Sequence, residues 1–184
     1  MTSDELKIAN DGTIEDAVKE VYEKLKPTNP EPILSYYGII SGETTSYFEN
    51  SVIKEYLDTY PSIKIVIDIH RDSLIFEDGT KVRTSIDIDG KSVAQIMIVA
   101  GTNGGGSEFD RWKHNLAFDM VYKNALDEEY ENLSRPILLR KARYNQHFTD
   151  YSFLIEIGTC ANNLEEAKSA ARLSAATLSK IISG

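Results

Sequence analysis

Apolar positions along the chain alternate between helix-period and strand-period stretches. From Ile14 to Leu25, the residues Ile14, Val18, Val21, Tyr22 and Leu25 recur at three- and four-residue steps, which line one face of a helix. Pro27, Pro30 and Pro32 interrupt that pattern, because proline lacks an amide donor and clashes inside a helix; Ile33 to Ile40 then reads as a strand. Phe48 to Tyr60 returns to helical spacing at Val52, Ile53, Tyr56 and Leu57, and Pro61 closes it ahead of the β-branched run Ile63 to Ile69. Strand, helix, strand in this order predicts parallel pairing, with chemistry gathered at the carboxyl ends of the strands.

Lys81 to Ile88 and Ser92 to Ala100 flank Asp89-Gly90, a pair suited to the positive φ angles of a tight turn, so an antiparallel hairpin excursion is predicted. The glycine-rich stretch Asn103 to Ser107 reads as a loop before a helix over Phe109 to Leu133 that carries Trp112, Leu116, Met120 and Leu126. Pro136 to Leu139 reads as a short strand or a connection, and Ser152 to Ile157 as a compact strand ending at Gly158. Asn162 or Asn163 then caps a helix to Ile182, with its alanines and Leu173, Leu178, Ile181 and Ile182 facing the sheet. The sum is an α/β fold in a single domain over 1–184, with 1–31 as an N-terminal helix and linker.

Composition narrows the function. At 184 residues, 41% hydrophobic and 27% charged, the chain has the balance of a folded enzyme and can bury roughly 70% of its unfolded surface. A net charge of −9 opposes nucleic acid, whose binding needs clustered Lys and Arg, and equally opposes bulk attraction to an anionic wall or membrane. Cys160 is the single cysteine, which excludes an intrachain disulfide and a cysteine-based zinc site and leaves it an expected packing role. No apolar run reaches the ~18 residues of a membrane span, and Met1 to Asn10 lacks the regions of a signal peptide. The expectation is a cytoplasmic chain, or a domain excised from a larger protein.

Polar intrusions into apolar strands mark the candidate chemistry. In Ile65 to Ser73, alternation puts Asp68 and His70 on one side of a strand, either satisfying each other or forming a metal-binding imidazole with its orienting carboxylate. Glu156 interrupts the most apolar strand of the chain, and a buried carboxylate needs a partner or a shifted pKa. It is either a proton carrier, taking a proton from an attacking water and passing it to a leaving amine, or half of an ion pair with Arg71 or another cation. Glu43 follows the first strand, as a ligand or as a surface carboxylate. His114 reads as solvated, whereas His147, in the loop before Glu156, is a substrate contact, a surface residue or a replacement zinc ligand. No phosphate loop of the Gly-Lys-Ser type, Gly-x-Ser-x-Gly elbow or HExxH pair is present.

The segments IDIHRDS (67–73), KSVAQIMIVAGTN (91–103), RWKHNL (111–116) and ARYNQHFTDYSFLIEIGTCANNLEEA (142–167) resemble the stage II sporulation protein P family of peptidoglycan hydrolases, of the zinc-dependent N-acetylmuramoyl-L-alanine amidase type. The resemblance spans about 32–182. It implies a twisted, mostly parallel sheet flanked by helices, of the amidase/phosphorylase-hydrolase kind, and one zinc ion. It makes His70 and Glu43 metal ligands and Glu156 the catalytic carboxylate. Asp68, Arg71 and Asn145 stand around that site as orienting or substrate-contacting groups. The implied activity is cleavage of the amide between N-acetylmuramic acid and the L-alanine of a stem peptide, on the extracytoplasmic, wall side. The ligand set is incomplete: Tyr36 to Glu43 lacks the family's His-x-His, and Phe109-Asp-Arg-Trp112 lacks a histidine before the tryptophan. The alternative is a module that binds wall glycan or peptide without hydrolysis.

Overall fold

The computed structural model describes residues 53–183. The expected helix over 14–25, the expected strand over 33–40 and Glu43 lie outside the described residues. The chain divides between Ile63 and Lys64 into two units. In the first, residues 53–59 are helical, as their spacing predicts, and a Tyr60 N–H to Tyr56 C=O bond of 2.8 Å closes the helix before Pro61.

The second unit carries a four-stranded sheet. Its strands are β1 (Ile67–Asp72), β4 (Ile96–Gly101), β5 (Leu138–Arg140) and β6 (Phe153–Thr159), in the order β1-β6-β4-β5. The pairs β1/β6 and β4/β5 are parallel and β4/β6 is antiparallel, so the sheet is mostly parallel. A separate hairpin, β2 (Ser85–Ile88) and β3 (Lys91–Ala94), turns at Asp89 (φ 53) and Gly90 (φ 74), the left-handed pair that a two-residue turn requires.

Strand boundaries differ from the sequence expectation: the strand expected over Lys81 to Ile88 begins only at Ser85, and two others change more. The run Ile63 to Ile69 becomes a strand only at Ile67 and continues to Asp72, carrying the polar residues His70, Arg71 and Asp72 within the strand. The run Ser92 to Ala100 is two strands in two sheets, split at Gln95. There the Gln95 N–H reaches Thr84 O (3.0 Å) in the hairpin while the Ile96 N–H bonds Leu133 O (2.9 Å), so the ladder changes partner across one residue. The one polar residue interior to that run, Gln95, stands at the change.

Helices α1 (Trp112–Glu129) and α2 (Leu164–Ser183) pack on each other and on the sheet. Phe118 and Tyr122 of α1 meet Phe153 at ring separations of 5.9 and 5.3 Å, and Tyr122 Oη bonds Ser174 of α2. The buried stripe of α1 is Asn115, Asp119, Tyr122 and Leu126: Leu126 is buried as expected, but Asn115 and Asp119 take the place of Leu116 and Met120, one step away, and Met120 is 53% exposed. On α2 the alanines 167, 170 and 171 and Leu178 are buried as expected, but Ile182 is 57% exposed at the helix end. Asn163 caps α2: its Oδ1 accepts the Glu166 N–H (2.9 Å) while Glu166 Oε2 accepts the Asn163 N–H (3.1 Å), a reciprocal capping box. Cys160, expected to pack, is exposed; its place in the turn after β6 is fixed by its backbone N–H, which donates to Asp72 O (2.7 Å).

Candidate functional site

Pairing register builds the site. Parallel β1 and β6 set His70 directly opposite Glu156, and antiparallel β4 sets Met97 on the other side of Glu156. Leu154, two residues before Glu156, packs with Met97 and Val99, whereas Phe153 meets the rings of α1. Alternation therefore places Glu156 on the sheet face away from the helices, near the carboxyl ends of β1 and β6. One step beyond, the β1/β6 register slips between His70 and Asp72, and Gly158 (φ 74) absorbs the bulge. A Cβ on Gly158 would lie 2.8 Å from Ala94 Cβ and 3.0 Å from Asn162 Oδ1, so only glycine fits.

Burial and charge give Glu156 its character. Its Oε2 is buried without a hydrogen-bond partner, and burial raises its pKa above the usual carboxylate value. Asp72 and Asp68 push the same way, while His70 and Arg135 pull against them. Arg71, the expected ion-pair candidate, is elsewhere: its guanidinium donates to Thr159 O (2.7 Å) and Asn162 O (2.5 Å), tying β1 to the turn that ends β6. Arg135 pairs with Asp72 at 2.7 Å. The proton affinity of Glu156 thus reflects desolvation first, and the residue remains a half-buried carboxyl group, with one buried oxygen, available to a reacting partner.

Asp68 and His70 do share one side, with His70 Nε2 2.6 Å from Asp68 Oδ1. A carboxylate on one ring nitrogen fixes the tautomer and turns the other nitrogen into the basic one, the arrangement of a histidine ligand with an orienting partner. His147 and Asn145 occupy a different place. Their loop precedes β6 and is pinned at the sheet's opposite end, where Gln146 Nε2 donates to Val99 O (2.7 Å) and its Oε1 accepts the Gly101 N–H (2.9 Å). Asn145 takes a left-handed conformation (φ 62). The His147 ring lies tilted against Phe148 at 4.2 Å with Nδ1 buried and unpartnered, and burial, Arg143 and Arg111 lower its pKa. Among the described residues no three His, Cys, Asp or Glu side chains converge as a metal-holding group, so His147 is not brought to His70 and Glu156. His114 is exposed beside Tyr151 (5.3 Å).

Asp72 and Arg135 are neighbours of Glu156 that sequence reasoning passed over. Asp72 had a signal, its place two residues after His70 on the same strand; Arg135 had none, since it reaches the site through a connection between α1 and β5.

A mixed sheet with helices packed on it, and an isolated carboxyl beside a histidine at the strand ends, defines an amidase-like α/β fold. Among solved structures, N-acetylmuramoyl-L-alanine amidase AmiC2 of Nostoc punctiforme shares it, with a TM-score of 0.52 and 14% identity over 94% of this chain and 82% of that one. The profile of the Stage II sporulation protein P family matches residues 36–179. Stage II sporulation protein P of Bacillus subtilis (strain 168) is 31% identical over 142 residues, covering 74% of this chain and 33% of its own length. The chain belongs to the Stage II sporulation protein P family, and it spans about a third of that curated relative. Among the described residues, no helix is long and apolar enough to cross a membrane.

Proposed function

We propose that this chain is a peptidoglycan hydrolase acting on the amide between N-acetylmuramic acid and the L-alanine of the stem peptide, with Glu156 as the proton carrier. The observation that carries this reading is Glu156 itself: a half-buried carboxyl whose Oε2 is buried without a hydrogen-bond partner, opposite a histidine oriented by Asp68. Family membership and the amidase-like fold support it. A raised pKa suits the role, because such a group accepts a proton from an attacking water near neutral pH and returns it to the departing amine.

Zinc fits the residues present in part. His70, with its second ring nitrogen set by Asp68, would be one ligand; Glu43 would be another, as the family resemblance implies. When bound, zinc would polarise the scissile carbonyl and acidify water. The chain's own residues do the rest: Asp68 orients His70, Arg71 ties β1 to the turn that ends β6, the Asp72–Arg135 pair ties β1 to the connection before β5, and Glu156 moves the proton.

Purified peptidoglycan digested in the presence of zinc should release free stem-peptide amino termini. Glu156→Gln, which keeps the shape and removes the base, should lower that rate at least ~10²-fold with the fold unchanged. Full activity in Glu156→Gln would refute the role. The histidine-free segment Tyr36 to Glu43 favours a second reading, a wall-binding module without hydrolysis. Stoichiometric zinc retained on purification supports the enzyme, and wall binding with no zinc uptake at micromolar metal supports the module.

A further inference from the structure

Asp119 lies in the middle of α1 with no solvent exposure, and both its carboxyl oxygens lack a hydrogen-bond partner. One helical turn earlier, Asn115 is equally buried. Its Nδ2 donates to Gln146 O (2.7 Å), Ser152 O (3.0 Å) and Thr149 O (3.4 Å), drawing the 143–152 segment onto α1. Its Oδ1 has no donor. Residues at i and i+4 face each other on a helix, so two buried groups that can only accept stand side by side with nothing to donate between them.

Such an arrangement is costly unless a proton is present. An ionised Asp119 would leave three acceptor atoms unsatisfied; one added proton gives the pair a donor and satisfies two of them. We propose that Asp119 is held as a neutral carboxylic acid whose O–H donates to Asn115 Oδ1, and that this shared proton positions the Asn115 amide to hold the 143–152 segment.

Among the described residues, the surroundings offer no other partner. The strand faces toward α1 carry Ile96, Ile98 and Ala100 of β4 and Phe153 and Ile155 of β6, while Glu156 lies on the opposite face. On the loop, Thr149 and Ser152 bond each other, Asp150 pairs with Arg111, and Arg143 bonds Glu108 O. On α2, Lys180 pairs with Glu129, Lys168 with Glu165, and Glu166 with Arg83, and Arg172 is likewise engaged in a contact of its own. On α1 itself Lys123 pairs with Asp127, and Lys113 lies over the Trp112 ring. Burial alone accounts for the Asp119 pKa, pushed up to about 8, and no charged neighbour contributes.

The proton can be read directly. In the full chain, the Asp119 carboxyl carbon should show the protonated NMR position at neutral pH and titrate with a midpoint near 8. Because the native state keeps a proton that the unfolded chain releases at its ordinary 3.8, stability falls as pH rises between 3.8 and about 8 and is flat beyond. Asp119→Asn carries a permanent donor and has no such slope. The folding constant of the natural chain relative to Asp119→Asn should therefore fall about tenfold per pH unit across that window. Above the midpoint the segment loosens in the natural chain only, so trypsin should cut after Arg143 faster there than in Asp119→Asn. An ionised carboxyl signal at neutral pH, observable even if the variant does not fold, would overturn the proposal. So would a pH-independent ratio of folding constants, or cleavage after Arg143 that follows pH alike in both proteins.

Discussion

His70 gains its chemistry from the residue two positions before it. Without Asp68, the imidazole samples both tautomers and several rotamers; with Asp68 Oδ1 at 2.6 Å from Nε2, one nitrogen is committed and the other is left basic. If the proposed site holds zinc through His70, Asp68→Asn should weaken zinc affinity about 10- to 100-fold, the usual cost of removing an orienting carboxylate. Competition with a chromophoric chelator measures it. The fold should be unaffected, because Asp68 and His70 are both substantially exposed. Unchanged affinity in the variant would separate Asp68 from the metal and leave the pair a local structural contact. Glu156 differs from Asp68 in that its Oε2 is buried without a hydrogen-bond partner and desolvation raises its pKa, whereas Asp68 is held by the His70 ring.

Elements join through buried polar groups as much as through apolar packing. Glu166, 2% exposed, closes the α2 capping box and also receives Arg83, Ser92 and Asn162, clamping the β2–β3 hairpin to the start of α2. Arg83 above all holds its carboxyl down at about 2, with Ser92, Asn162 and the Asn163 N–H assisting against burial. The stability this lends is present above the ordinary value of 4.5 and is lost as pH falls toward 2. Glu166→Gln should cost roughly 2–3 kcal/mol at neutral pH, in line with hydrogen bonds to a charged group, and progressively less in acid. Urea titrations at the two pH extremes check it, and an equal loss at both would contradict the linkage. The cap was legible in sequence as an asparagine before an alanine-rich stretch, and β6 as an apolar strand with one misplaced carboxylate. The split at Gln95 was not, because one polar residue between two apolar segments is equally compatible with a single strand. Nor was the buried face of α1, where Asn115 and Asp119 point inward and Met120 points out, against the pattern that apolar spacing suggests.

At the scale of the molecule, the site was legible where side chains follow strand alternation and hidden where they arrive across the sheet. His70, Asp68 and Glu156 follow alternation, whereas the placement of His147 depended on which end of β6 its loop is tied to. Charge acts at this same scale. With a net −9, the chain is repelled by an anionic polymer at long range, and binding must come from short-range contacts in a shaped site. If the chain acts on the wall as proposed, association of its Glu156→Gln variant with insoluble peptidoglycan should strengthen when salt is raised from ~10 to ~150 mM, as the Debye length shrinks from about 30 to 8 Å and the repulsion is screened. A pelleting assay across that range reads the sign. The opposite sign would mean that a local cationic surface outweighs the net field. The segments around Arg111, Arg140, Lys141 and Arg143 would be the place to look, since Gly105 bonds Lys141 O there and Arg143 sits against Glu108. Neutralising Lys141 and Arg140 would then abolish the salt-weakened component, and recognition would have to be assigned to that surface rather than to the strand ends.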